Sequence, residues 1–369
     1  MGNSMTQTQL APGTIFDQAE QAEIKDGGDR LTLCLVTDAW YPQVNGVVRT
    51  WDNVRRECEQ MRHRFEVIHP ALFNTCPLPK YPEIKLALKP YRHVKHLMGY
   101  LAPDVIHIAT EGPLGQAARR FCLKRDLPFT TSYHTQFPQY VRKYTGLPES
   151  IAYALMRKFH GAGQATLVPT PNVKRELDDQ GFKNVVVWTR GVDTSVFKPE
   201  PKHVFDLPRP IYLYAGRVAL EKNIEAFLGL DLPGSKVVVG DGPAKAGLQT
   251  RYPDVHWAGY RFGPELAAHY AGADVFVFPS KTDTFGVVML EANACGLPVA
   301  AYPVTGPIDV VKPGRTGALD EDLGQACRQA LNVSKQSCLD YAAEHTWRRC
   351  AQMVLDHARR IPRSERLGL

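Results

Sequence analysis

The chain has 369 residues, 44% apolar and 22% charged, an ordinary globular composition with room for two domains. No run of about 18 uncharged apolar residues occurs, so the sequence offers no membrane-spanning helix. The net charge of +6 calls for an anionic partner, and it is unevenly placed: residues 1–30 carry −3, residues 31–190 carry +9, and the rest is neutral.

Residues 1–30 are polar and rich in Gln, without the apolar segment of a signal peptide, and read as a disordered leader. Leu31–Val36 is an apolar run ending at Thr37-Asp38, the pattern of a buried strand, and a helical stretch spans Val48 to Met61. Further strands are expected at Phe65–His69, Asp104–Ile108, Phe129–Tyr133, Thr166–Val168 and Val185–Trp188, with helical segments between them. After a proline-rich stretch between Phe197 and Arg209 the pattern restarts at Ile211–Tyr214. It continues through Lys236–Val239, His256-Trp257, Val275–Phe278 and Val299–Ala301. This alternation predicts an α/β protein of two doubly wound, Rossmann-like parallel sheets facing across a cleft. Residues 31–197 would form the first domain and 198–345 the second. The segment 346–369 would add a helix and tail, its Trp347, Cys350, Val354 and His357 spaced to pack back on the first domain. Eight scattered cysteines without a Cys-x-x-Cys pair read as reduced thiols in a cytoplasm.

Ligands of such sheets bind at the carboxyl ends of the strands, and the informative residues fall there. After the strand ending at Phe278, Asp283 stands at the cap position of a helix that starts near Thr284-Phe285-Gly286, whose free N–H groups suit hydroxyl or phosphate oxygens. Glu291, eight residues on, is a carboxylate inside an otherwise small and apolar helix, costly unless it has a partner. After Tyr214 come Gly216 and Arg217, then Lys222: a close-approach glycine with two cations suited to a diphosphate, or else a solvated loop with an Arg217–Glu221 pair. Gly46 precedes a helix, and Gly240-Asp-Gly-Pro243 follows a strand; either is a ligand turn or merely a turn. His134 ends a strand and could meet a sugar or move a proton.

The basic first half has two stretches in which cations alternate with apolar residues. One holds Lys80, Lys85, Lys89, Arg92 and Lys95 with Leu86, Leu88, Val94, Leu97 and Met98. The other holds Phe137, Tyr140, Val141 and Tyr144 with Arg142 and Lys143. This pattern fits an anionic bilayer surface, against the alternative of a solvated face over core residues. No nucleic-acid recognition motif, Walker A loop or Gly-x-Gly-x-x-Gly is present, and Asp320-Glu321-Asp322 reads as helix capping rather than a metal site.

The ordered set of stretches resembles the family 4 retaining glycosyltransferases of the GT-B fold. It comprises Thr37 to Gly46, Pro103 to His107, Ser132 to Thr135, Trp188 to Asp193, Gly216-Arg217 with Glu221-Lys222, Gly240 to Pro243 and Asp283 to Pro298. Thr37-Asp-Ala-Trp-Tyr-Pro-Gln-Val-Asn-Gly46 is similar to the subgroup of diacylglycerol glycosyltransferases and GDP-mannose-dependent mannosyltransferases. The resemblance implies that Arg217 and Lys222 bind the donor diphosphate, with Gly216 beside them and Gly46 touching the same phosphates. It implies that Glu291 holds the donor ribose, that Asp283 and the N–H groups of Thr284, Phe285 and Gly286 hold the transferred sugar, and that His134 contacts it near the reacting carbon. Asp283 stands where the family more often has Glu. The implied reaction is retaining hexosyl transfer, without metal or other cofactor, from UDP-glucose or UDP-glucuronate, with GDP-mannose the alternative donor. The implied acceptor is a membrane lipid such as diacylglycerol, met at the inner face of the cell membrane of a bacterium, or, for the mannosyltransferase alternative, a lipid or polysaccharide-linked glycan. Its docking residues would be Lys85, Lys89, Arg92, Lys95, Phe137, Tyr140, Arg142 and Lys143. No nucleic acid is implied.

Overall fold

A computed structural model describes residues 30–43, 45–78, 81–134, 148–201, 204–283, 285–362 and 365. The expected leader, apart from Arg30, therefore lies outside the described residues. The first half contributes β1 (Thr32–Val36), β2 (Arg64–Ile68), β3 (Thr75–Leu78), β4 (Tyr81–Ala87), β5 (Val105–Ile108), β6 (Thr130–Ser132), β7 (Thr166–Val168) and β8 (Val185–Val187). Six of these form one sheet in the order β2-β1-β5-β6-β7-β8, every pair parallel. The short β3–β4 antiparallel pair stands apart from it; it was not expected from the sequence, because its prolines and lysines break the apolar runs that marked the other strands.

The second half contributes β9 (Ile211–Ala215), β10 (Ser235–Val239), β11 (His256–Gly259), β12 (Val275–Phe278), β13 (Val299–Ala301) and β14 (Gly317–Leu319). Their order is β11-β10-β9-β12-β13-β14, again all parallel. Alternation along β9 shows how the sheet is covered. Ile211, Leu213 and Ala215 belong to one buried cluster, and Tyr212 and Tyr214 to the cluster on the opposite face. In the first sheet Cys34 and Val36 face one core while Leu33 and Leu35 face the other. β14 was missed because Gly317-Ala-Leu319 is short and follows the turn signals Pro313-Gly314 and Arg315-Thr316.

The last helix, Trp347–His357, buries Trp347, Cys350, Ala351 and Val354 in the cluster that also holds Trp51, Val54 and Cys58 from helix Gly46–Gln60. The Trp188 indole N–H donates to the Cys350 carbonyl at 2.9 Å, and the Val192 amide to the His345 carbonyl at 3.0 Å. The final helix thus packs on residues of the first half although it follows the second in sequence.

The order of the strands positions the site. In each sheet successive connections run outward from the first strand and then cross back to its other side, between β1 and β5 and between β9 and β12. At such a switch point two adjacent loops diverge and leave a crevice at the carboxyl ends of the strands. The loops concerned are 37–45 and 109–112 in the first half, and 216–223 and 279–286 in the second.

One buried histidine links the first sheet to solution pH. His107 on β5 is 3% exposed, its Nδ1 2.7 Å from Thr130 Oγ1 and its Nε2 3.1 Å from Ser132 Oγ. Burial pushes its imidazole down to about 3. The unfolded chain binds a proton there near pH 6.5 and the folded one does not. Stability should therefore fall as pH drops below that value, by about 1.4 kcal/mol per pH unit for this one group. Urea unfolding at pH 7, 6 and 5 is expected to show a shallower pH dependence for His107→Gln than for the wild type; equal slopes would contradict this reading of His107.

Candidate active site

At the switch point of the second sheet, the loop after β9 and the loop after β12 are tied together. Asn223, held at φ +52, donates its side-chain amide to the Pro279 carbonyl at 3.0 Å. Lys222 Nζ lies 2.6 Å from Asp283 Oδ1. Arg217, half exposed, has Glu221 at 3.9 Å, too long for a strong pair and leaving the guanidinium turned to solvent. The Gly216 amide donates to the Val239 carbonyl, and a Cβ on Gly240 would sit 1.9 Å from the Gly216 oxygen. Gly240-Asp-Gly-Pro243 is therefore a turn pressed against the backbone that carries Gly216.

The expectation that Asp283 caps the following helix is corrected. That helix spans Val287–Ala294 and its cap is Gly286, at φ +84, where a Cβ would come 2.9 Å from the Phe278 ring. Asp283 lies too far before the helix to reach its amides, and Lys222 takes Oδ1 instead. Asp283 Oδ2 and Ser280 Oγ are buried without a hydrogen-bond partner among the described residues. Buried polar atoms of this kind ordinarily have a hydrogen-bond partner, and none of the described residues supplies one here. Phe285 is buried and Gly286 half-buried beside them, and Thr284 lies outside the described residues.

Glu291 is 3% exposed. Its Oε2 accepts from the Tyr270 hydroxyl at 3.3 Å, and its Oε1 pairs with Arg49 Nη2 at 2.8 Å. Arg49 comes from helix Gly46–Gln60 and Glu291 from helix Val287–Ala294, so this pair joins the helices that follow β1 and β12. Helix Gly46–Gln60 is capped by Asn45, whose Oδ1 accepts from the Val47 and Val48 amides at 3.0 and 3.1 Å. Gly46 is exposed on its first turn, and a Cβ there would meet nothing within 4 Å, so internal packing does not call for the glycine. Asp38, at the end of β1, accepts from Thr110 Oγ1 at 2.8 Å and from the Leu114 amide at 3.0 Å, anchoring helix Pro113–Lys124.

His134 follows β6 inside a cage that the sequence did not reveal. The Trp51 indole N–H donates to its Nε2 at 2.9 Å, with Ser132 Oγ 2.8 Å from the same nitrogen. Arg190 Nη2 lies 3.4 Å from its Nδ1. An indole only donates, so Nε2 accepts from Trp51, and the guanidinium beside Nδ1 is likewise a donor, so both ring nitrogens face donors. Burial, with the Arg190 charge behind it, holds the imidazole well below its ordinary value, so the ring is neutral at physiological pH. Arg190 is itself 4% exposed, donates to the Trp188 carbonyl at 2.7 Å and lies over the Trp188 ring at 4.2 Å; burial pulls its guanidinium down to about 10. Arg49, Trp51 and Arg190 are the site residues that sequence reasoning passed over. Trp188-Thr-Arg190 lay in a motif stretch but suggested no contact.

The basic stretch is only partly amphipathic in the sense expected. Lys85, Lys89, Arg92 and Lys95 are exposed. Val94 and Met98, however, point into the core from helix Tyr91–Leu101, and of the apolar partners named above Leu88 is the exposed one. The apolar face of that helix is committed to folding. Lys80 and the second stretch, with Phe137, Tyr140, Arg142 and Lys143, lie outside the described residues. No helix among the described residues is long and apolar enough to cross a membrane.

Comparison with known proteins identifies the family and the fold. Residues 44–196 match the family model Glycosyltransferase Family 4, and residues 209–333 the model Glycosyl transferases group 1. The chain is 33% identical to a GDP-mannose-dependent alpha-mannosyltransferase of Mycobacterium tuberculosis, over 78% of this chain and 83% of that protein. It is 25% identical to an alpha-monoglucosyldiacylglycerol synthase of Streptococcus pneumoniae, over 88% and 86%. Among solved structures, sucrose-phosphate synthase from Thermosynechococcus elongatus superposes with a TM-score of 0.71 at 18% identity, over 89% of this chain and 98% of that one. With its two doubly wound sheets in the GT-B arrangement, the chain belongs to the family 4 glycosyltransferases.

Proposed function

We propose that the protein transfers mannose from GDP-mannose, with retention of configuration, to a lipid or lipid-linked glycan acceptor at a membrane surface. The observation that carries the donor site is the Lys222–Asp283 pair beside Arg217, with Glu291 buried one helix away. The preference for GDP-mannose over the UDP-hexose expected from the sequence rests on the higher identity to the mannosyltransferase. A second reading, glucose or glucuronate from a UDP-sugar to diacylglycerol, is favoured by the Streptococcus pneumoniae relative.

In this scheme the donor diphosphate takes Lys222 and Arg217, and Glu291 takes the ribose. A sugar hydroxyl donates to the orphaned Asp283 Oδ2, which is where the side chain lacks a partner. The two cations stabilise the charge that grows on the departing nucleotide as the sugar becomes oxocarbenium-like, and the scheme needs no metal or other cofactor. The acceptor oxygen bonds to the anomeric carbon on the face the nucleotide leaves, the carbon–oxygen bond to the diphosphate breaks, and the acceptor proton passes to the leaving phosphate oxygen. His134 is not the base in this scheme, since Trp51 occupies its Nε2 lone pair and the Arg190 guanidinium stands at Nδ1. It positions the sugar as a neutral ring. The exposed cations Lys85, Lys89, Arg92 and Lys95 hold the enzyme peripherally against anionic headgroups at the cytoplasmic face.

Two outcomes are expected. GDP-mannose at about 100 times its dissociation constant should stabilise the protein by about 2.7 kcal/mol in a thermal-shift assay. UDP-glucose at the same concentration should leave it unmoved, and Lys222→Ala should abolish the GDP-mannose shift. Protection by UDP-glucose alone would select the second reading, and protection of Lys222→Ala equal to wild type would remove Lys222 from the donor site. In liposome flotation, the protein should float with vesicles containing anionic lipid at low salt and less so at high salt. Replacing Lys85, Lys89, Arg92 and Lys95 with Glu should abolish that binding, and flotation indifferent to these changes would sink the membrane proposal.

A further inference from the structure

Arg49 is in an electrostatically poor place for its own helix. It sits in the first turn of Gly46–Gln60, at the positive end of the helix dipole, and that turn carries no acidic residue. Its ion partner is Glu291, 242 residues away in sequence and on the other sheet's side of the site. Both oxygens of Glu291 are engaged, one by Arg49 and one by Tyr270. Each oxygen keeps a second lone pair, but the Glu291 side chain is only 4% exposed, so a ligand hydroxyl gains room at it by displacing a group that covers it. Tyr270 is fully buried, whereas the Arg49 side chain is half exposed and has somewhere to go. Gly46, one turn earlier on the same helix end, has no atom of the described residues within 4 Å of where a Cβ would stand.

We propose that Arg49 is an exchangeable placeholder on Glu291: donor ribose displaces it, and the released guanidinium turns to the diphosphate as a third cation beside Lys222 and Arg217. The proposal rests on the reading of Glu291 as the ribose carboxylate given above. It makes Arg49 a residue with two opposite effects on one ligand. It competes with the nucleoside portion for Glu291, so that apparent nucleoside affinity is lowered by the fraction of molecules in which Glu291 is taken. It also attracts the phosphates. It further couples donor binding to the contact between the two halves, since the pair that breaks is one that joins them.

The two effects separate in a binding experiment with guanosine and GDP, or uridine and UDP if the donor screen selects them. Wild type, Arg49→Ala, Arg49→Gln and Glu291→Gln are compared by calorimetry or ligand-observed NMR, with circular dichroism to verify folding. The expected result is that both Arg49 variants bind the nucleoside more tightly than wild type and the diphosphate more weakly. The ratio of diphosphate to nucleoside affinity should fall about tenfold or more, the loss of one charge-assisted contact. Nucleoside affinity unchanged or weakened in both variants would overturn the exchange. Should Arg49→Ala fail to fold, Arg49→Gln, which retains a polar side chain, carries the comparison. Glu291→Gln tests the underlying reading separately: if it binds the nucleoside as wild type does, the ribose assignment fails whatever the Arg49 variants show.

Discussion

A parallel strand can be joined to its neighbour only by a crossover, so every strand of a parallel sheet ends on the same edge. Both sheets of this chain are wholly parallel and both reverse their winding beside their first strand. The residues with chemistry follow from that constraint: Asp38 after β1, His134 after β6, Gly216 to Lys222 after β9, and Asp283 after β12. Nothing else in the topology would bring Lys222 within 2.6 Å of Asp283, 61 residues later.

Charge is arranged along this edge in three different ways. At the second sheet the cations are accessible: Arg217 is half exposed and Lys222 partly exposed, with Asp283 as its protein partner. At Glu291 the carboxylate is buried and paired across to Arg49, which makes it costly to leave alone and therefore suited to an exchange of partners. At His134 the Trp51 indole and the Arg190 guanidinium face the two ring nitrogens as donors, and burial holds the ring neutral. In the proposed scheme they would put mobile charge beside the departing nucleotide and an uncharged ring beside the reacting sugar.

Much of this was legible in the sequence because it is local. The strands of both sheets other than β14 announce themselves as short apolar runs, Gly216, Lys222, Asp283 and His134 follow strand ends, and Glu291 stands out as a carboxylate in an apolar helix. Three things were not legible, each for a physical reason. The Arg49–Glu291 pair spans 242 residues, and no local spacing encodes it. The His134 cage is built from helix Gly46–Gln60 and from the segment after β8, so Trp51 and Arg190 meet it only once the first sheet has closed. The role of Asp283 as a cap failed because Gly286, at positive φ, turns the chain into the helix three residues later than the polar residues suggested. The amphipathic reading of the basic stretch was half right: its cations are exposed, but Val94 and Met98 belong to the core.

The most direct test of the account is a crystal structure of the protein with GDP bound. The account predicts the β-phosphate within hydrogen-bond reach of Lys222 Nζ, the ribose hydroxyls on Glu291, and Arg49 released from the 2.8 Å pair it makes in the structure described above. A nucleotide bound away from the loops after β9 and β12, or a ribose that leaves the Arg49–Glu291 pair intact, would contradict it.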